Sequence, residues 1–164
     1  MNEKGKPVDI VLRERKEAER IIEDFMIAAN ETVAAHVRWL EIPSMFRIHK
    51  QPEPKRIREF ARIAKTLGYT FTGGIQNVYP AQLQAMLKEA KGENNYSVLS
   101  TFMLRSMQKA RYDRRCIGHF GLALKNYLHF TSPIRRYPDL VVHRMLRKYF
   151  FEGLQDSEKM ARDE

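Results

Sequence analysis

Arg135 and Arg136 stand directly behind Ser132-Pro133 in the stretch HFTSPIRRYPDL, residues 129–140. A Ser followed by a Pro is a helix-start pattern. The hydroxyl can accept an orphan backbone N–H, and proline is already set at the first helical φ. The first turn of a helix carries partial positive charge, which suits acids and not arginines. Two arginines at that end are explained by an anion opposite them. Phosphate fits, because free N–H groups and guanidinium forks both suit its oxygens. The plainer explanation is solvation or pairing with a carboxylate, and Asp139 lies close enough in sequence to be one partner. Pro138 forbids a regular helix running on from Pro133, since it lacks a donor and clashes with the carbonyl four residues back. SPIRRY is therefore expected as a turn or kinked entry whose backbone donors stay free for a ligand.

Around the arginines, His129, Phe130 and Tyr137 interleave rings with charge. Single-stranded nucleic acid is held that way, with basic groups on phosphates and ring faces on bases. Upstream, GHFGLAL supplies His119 between glycines that could let backbone approach a ligand closely. The plain reading of Phe120, Tyr127 and Phe130 is core packing, and that of His119 and His129 is a satisfied structural histidine. A further reading makes the segment 138–151 a membrane-surface or partner-binding helix, with Arg144, Arg147 and Lys148 beside an apolar face. An ordinary amphipathic helix explains it more cheaply.

Other chemistries lack their residues. The aspartates at 9, 24, 113, 139, 156 and 163 form no D-x-D motif. Glu23-Asp24 is the one adjacent acidic pair in a well-patterned helix, where neighbours point apart and grip one ion poorly. One cysteine and five histidines without ligand spacing argue against zinc. There is no P-loop and no G-x-S-x-G elbow. These residues alone do not make a complete enzyme.

Positioning these groups falls to a mostly helical chain. KGKPVDIVL reads as a turn and a short strand over 4–12. A long helix follows over 13–40, with Ala18, Ile21, Ile22, Phe25, Met26, Ala29, Val33, Val37 and Leu40 as its inward stripe. MFRIHK is extended, and a helix runs from 54 to 67 with Gly68 beyond its end. YTFTGG is a strand or loop. Helices follow from Pro80 to Gly92 and across NYSVLSTFMLRSMQKARYD, the latter with Val98, Phe102, Leu104 and Met107 inward. HFGLALKNYLHF reads as extended, and a last helix runs from Pro138 to Phe151. The tail 153–164 is polar.

The 164 residues suffice for one domain or part of one, with 43% apolar residues for a core and 10% aromatic residues arguing against disorder. The excess of 29 Lys and Arg over 20 Asp and Glu, net +9, favours polyanionic partners. A single cysteine, Cys116, excludes an internal disulfide, and no apolar run reaches membrane-spanning length. With no apolar signal core at the N-terminus, a cytoplasmic protein is expected.

GHFGLAL followed by Y-x-HFTSPIRRYPDLVVHR resembles the signature near the end of the catalytic domain of the ribonuclease II/ribonuclease R (RNB) family, in its ribonuclease R form. EAERIIEDFMIAANETVA, FRIHKQPEPKRI and LRSMQKARYD resemble further family segments in the family's order. The resemblance implies a mixed α/β, predominantly helical fold: a partial RNB catalytic domain over 1–152, its C-terminal portion, followed by a tail over 153–164. It implies a 3′-to-5′ exoribonuclease that hydrolyses single-stranded RNA processively to nucleoside 5′-monophosphates with Mg²⁺. Arg135 then corresponds to the catalytic arginine at the scissile phosphate, and Glu23 to a residue contacting sugars near the RNA 3′ end. Arg136, His119, His129 and Tyr137 fall to RNA binding, with Asn30 and Tyr127 lining or supporting the channel. The family's metal-binding aspartates precede the matched region, so this chain alone is expected to bind no metal and to be inactive. Missing parts of the same polypeptide are expected partners, with self-association through apolar surface left bare. The alternative is a non-catalytic RNA-binding or protein-interaction module.

Overall fold

A computed structural model describes residues 16–152. The strand expected over 4–12 and the tail 153–164 lie outside the described residues. The first helix, α1, spans Glu17–Trp39. Glu17 and Glu19 favour its positive end and His36 and Arg38 its negative end. It stops where Glu41 turns to φ 54, ahead of Pro43. Its C-terminal half buries Asn30, Ala34 and Val37. The N-terminal part of the expected stripe is not inward: Ile21, Ile22 and Phe25 are 50%, 59% and 69% exposed. The helical period is right, but among the described residues nothing covers that end.

Two apolar clusters divide the molecule. In the first, three helices pack together: α2 (Pro54–Thr66), α3 (Pro80–Glu89) and α4 (Tyr96–Ser106). Pro54 and Pro80 each open a helix, where a missing N–H costs nothing. Gly68, at φ 93, follows α2. Ile57, Phe60 and Ala64 from α2, Leu83 and Met86 from α3, and Leu99 and Met103 from α4 form this core, with Val78, Ala90 and Phe120. The face expected for α4 is partly wrong. Val98 and Leu104 are 44% and 74% exposed, while Leu99, Met103 and Ser106 point inward and Phe102 and Met107 sit at the edge. YTFTGG is irregular.

The second cluster joins α1 to a small sheet and the last helix. Strand β1 (Phe46–Ile48) pairs antiparallel with β2 (Arg111–Asp113), Arg47 opposite Tyr112. The end of the segment expected as one helix over 95–113 is thus a strand. Phe46 also bridges to Leu128 on β1's other side. HFGLALKNYLHF is only locally extended: Phe120–Leu122 form a 3₁₀ turn, closed by Ala123 at φ 57. Helix α5 (Tyr137–Leu146) ends in a π-helical turn, Arg147–Phe151. Ala34, Val37, Ile42, Phe46, Ile48, Leu128, Val142 and Tyr149 make this core. No helix of the described residues is long and apolar enough to cross a membrane. Among the described residues the architecture is mostly helical with one two-stranded sheet.

Candidate nucleic-acid interface

As expected, SPIRRY is a turn and helix α5 does not begin at Ser132-Pro133. Its cap is Arg136 and its first residue Tyr137. Residues 132–136 form a turn in which the Arg135 and Arg136 N–H groups donate to Ser132 O, at 3.3 and 3.1 Å. Those donors are therefore used within the chain, not left free for a ligand. The arginine side chains separate. Arg136 donates through Nε and Nη2 to Asp139 Oδ2, at 3.1 and 2.8 Å, so the pairing reading holds for it. Arg135 is exposed, and its guanidinium has no hydrogen-bond or ion-pair partner among the described residues.

Two buried polar side chains pin the strand of chain leading into this turn. Asn30 of α1, 3% exposed, accepts the Phe130 and Thr131 N–H groups on Oδ1 at 2.9 and 3.2 Å. Its Nδ2 donates to Tyr127 Oη at 3.2 Å. Asp139 Oδ2 accepts the next N–H, from Ser132, at 2.8 Å. His143 lies flat on Phe130, ring centroids 4.1 Å apart, and its Nε2 donates to the Phe130 carbonyl at 3.0 Å. An Asn in the middle of a helix is locally unfavourable; here its amide closes α1 onto the 127–131 segment.

Beside the turn lies a run of rings. His119 and Tyr127 meet edge to face at 5.2 Å, Tyr127 and His129 at 5.7 Å, and Tyr112 and His129 at 5.6 Å. Tyr112 Oη lies 2.8 Å from His129 Nδ1, and the Arg47 guanidinium sits over the Tyr112 ring at 4.7 Å. Burial first, and then the Arg136 charge, with Arg47 and Arg135 adding to it against Asp139, lowers the His129 pKa to about 4. Burial and the His49 and Arg47 charges lower His119 to about 4 as well. Both rings are neutral near pH 7. The His119 tautomer is fixed, because Nδ1 accepts the Leu122 N–H at 3.2 Å. Neutral rings within a positive field offer stacking faces without repelling guanidiniums, while an anion would be attracted.

Of the expected residues, Arg135, Arg136 and His129 come within electrostatic reach of one another, and Tyr127 links His129 to His119. Tyr137 is exposed at the start of α5. Glu23 is half-buried on α1, seven residues before Asn30 and so on the same face, about 10 Å along the axis. The glycines of GHFGLAL abut the protein's own atoms. A Cβ on Gly118, at φ 89, would meet Leu124 O at 3.0 Å, and one on Gly121 would meet His49 Nδ1 at 2.8 Å. Phe120 and Tyr127 are buried, as core packing predicts. Arg47 and Tyr112 were not anticipated. Only the pairing of β1 with β2 brings them together, and no local pattern carries that.

A cleft of about 680 Å³ opens near Val37, Ile42, Ser44, Tyr112, Cys116 and Met145, and Tyr112 alone joins it to the ring run. Its Arg38 already donates to Asn126 Oδ1 at 2.6 Å, and its Arg115 pairs with Asp113 at 3.4 Å. Among the described residues no three His, Cys, Asp or Glu side chains gather as metal ligands. The Mg²⁺ of the resemblance therefore finds no fitting donor set there.

The RNB domain family model matches residues 1–152. Ribonuclease R 1 of Lactococcus lactis is 51% identical over 148 residues, covering 90% of this chain and 18% of that protein. The structure of Mycoplasma genitalium RNase R in complex with ribose methylated single-stranded RNA superposes with a TM-score of 0.85 and 31% identity, over 92% of this chain and 24% of that one. Yeast Ssd1, described as a pseudonuclease, superposes at 0.72 with 26% identity, over 92% of this chain and 19% of that one. The chain thus spans about a fifth of the length of these relatives. On a match that runs from its first residue to the end of α5's π-helical turn, it belongs to the RNB domain family.

Proposed function

We propose that this chain is the C-terminal portion of the catalytic domain of a 3′-to-5′ exoribonuclease, one that hydrolyses single-stranded RNA processively to nucleoside 5′-monophosphates. The observation that carries the reading is the unpartnered Arg135 guanidinium, held on an internally satisfied turn beside neutral rings. Arg135 contacts the scissile phosphate, where a planar fork can bind two oxygens as charge develops. Arg136, His129, His119 and Tyr137 line the path of the strand, and Glu23 meets sugars near its 3′ end, where 2′-hydroxyls can be read. Tyr127 and Asn30 support that path. Mg²⁺ belongs to another part of the polypeptide, which is also the chain's expected partner. By itself this chain is inactive as a nuclease. A cytoplasmic location is part of the same proposal.

The test mixes the chain with 5′-labelled single-stranded RNA and Mg²⁺, with Arg135→Ala alongside, and reads shift and cleavage on gels. Retarded but intact RNA is expected, weaker for the variant. Removing one phosphate contact should reduce the salt slope by about 0.7. Shortening of the RNA from its 3′ end by the wild type would overturn the claim of inactivity. Absence of any shift would overturn RNA binding. The likeness to Ssd1 favours a second reading, a non-catalytic RNA-binding or interaction module. A longer product of the same gene that binds RNA with Mg²⁺ but never shortens it would favour that module.

A further inference from the structure

We propose that Asp139 is a positioning residue that presents Arg135 to RNA phosphate, acting through Ser132 and Arg136. The inference rests on the reading that Arg135 meets phosphate. Asp139 is completely buried, and Oδ2 takes three donors: the Ser132 N–H and the Nε and Nη2 of Arg136. Ser132 in turn offers its carbonyl to the Arg135 and Arg136 N–H groups. The carboxylate therefore fixes the residue from which the turn is hung. Arg135 is one link away, with its side chain outward.

The same contact decides which arginine is available. Arg136 lies against the carboxylate at 2.8 Å, so part of its charge is answered inside the protein. Arg135 keeps its charge for solvent or ligand. A buried carboxylate recovers its lost hydration only through such donors, and an apolar side chain of similar volume is often no less stable. Asp139 Oδ1 is moreover buried with no partner. That arrangement suits orientation better than stability. Asn30 pins the Phe130 and Thr131 N–H groups just upstream, so three consecutive amides are held by side chains from two different helices.

Asp139→Asn separates the possibilities, because it keeps the shape but leaves only a neutral, weaker acceptor for the Ser132 N–H and for Arg136. Affinity for a fluorescent single-stranded RNA is measured by anisotropy for the wild type, Arg135→Ala, Asp139→Asn and the double variant. All are read well below their melting temperatures. Arg135→Ala is expected to weaken binding roughly fivefold in the wild type, and less than about twofold in the Asp139→Asn background. An equal loss in both backgrounds overturns the proposal, since an effect on stability alone leaves Arg135 working. Tighter binding by Asp139→Asn also overturns it, showing that the carboxylate only masks Arg136. Should Asp139→Asn fail to fold, Arg136→Gln breaks the same pair from its more exposed side and must abolish the Arg135 effect in the same way. Amide hydrogen exchange gives a readout without RNA. The Arg135 and Arg136 amides must exchange about tenfold faster in the variant used. If the wild type binds no RNA, the functional reading fails, and this exchange result alone decides whether the turn is held as proposed. Unchanged exchange sinks it.

Discussion

At the scale of single residues, three side chains carry unusual weight. Asn30 closes three hydrogen bonds from inside a helix. Asn30→Ala strands two backbone N–H groups and the Tyr127 hydroxyl, and should lower unfolding free energy by about 2–4 kcal/mol. Urea denaturation checks this, and a loss below about 1 kcal/mol would show that water replaces the amide. His129 and His119 make stability depend on pH. Their folded pKa values of about 4 lie below the ordinary value near 6.5, so the unfolded chain takes up more protons in between. Stability is full above about 6.5 and falls as pH drops toward 4. The urea midpoint should decrease between pH 7 and 5, with a shallower decrease in His129→Asn. A midpoint flat across that window contradicts the neutral assignment.

How much was legible in the sequence also divides by residue. Arg135 stood out because it breaks a local rule about helix ends, and Asp139 was already in view as a partner for the arginine pair. Pro138 was a sound guide to the turn at SPIRRY and to the start of α5, but the turn's donors are not free, because capping is a competition. Asp139 takes the Ser132 N–H, the Ser132 carbonyl takes the next donors, and helix α5 starts later, with Pro138 at its second position. The glycines misled in a similar way: the close approach they permit is to His49 and Leu124.

At the scale of elements, helices bounded by Pro54, Gly68 and Pro80 were readable because each signal is local. Strand β2 was not, because Arg111–Asp113 becomes a strand only through pairing with β1, far back in the chain. For α4 the period was visible but not its phase. Two faces of YSVLSTFMLRS are apolar, and contact with α2 and α3 selects the one bearing Leu99 and Met103. Leu99→Ala should therefore cost about 2–5 kcal/mol, whereas Leu104→Ala should stay within about 0.5 kcal/mol. Thermal or chemical melts of the two variants side by side test this, and similar losses would refute the assigned face.

At the scale of the molecule, Ile21, Ile22 and Phe25 leave an apolar stretch of α1 open, where the period alone had promised burial. If other copies cover it, sedimentation should show mass rising with concentration, and Phe25→Glu should reverse that. A monomer at every concentration would exclude self-association. The division into two apolar clusters has its own consequence. Phe120 belongs to the first, while the Phe46–Ile48 strand belongs to the second, and His49 is a seam between them. His49 accepts the Gly121 N–H on Nδ1, donates from Nε2 to Gln108 O, and meets Phe120 edge to face at 6.0 Å. Helices α2 and α3 both pack on α4, and α3 also on the Phe120–Leu122 turn, so the three-helix cluster should open as its own cooperative unit while Asn30, Asp139 and the arginine turn stay closed. Hydrogen exchange under mild denaturant would then resolve two foldons, and weakening His49 would widen the gap between their opening energies.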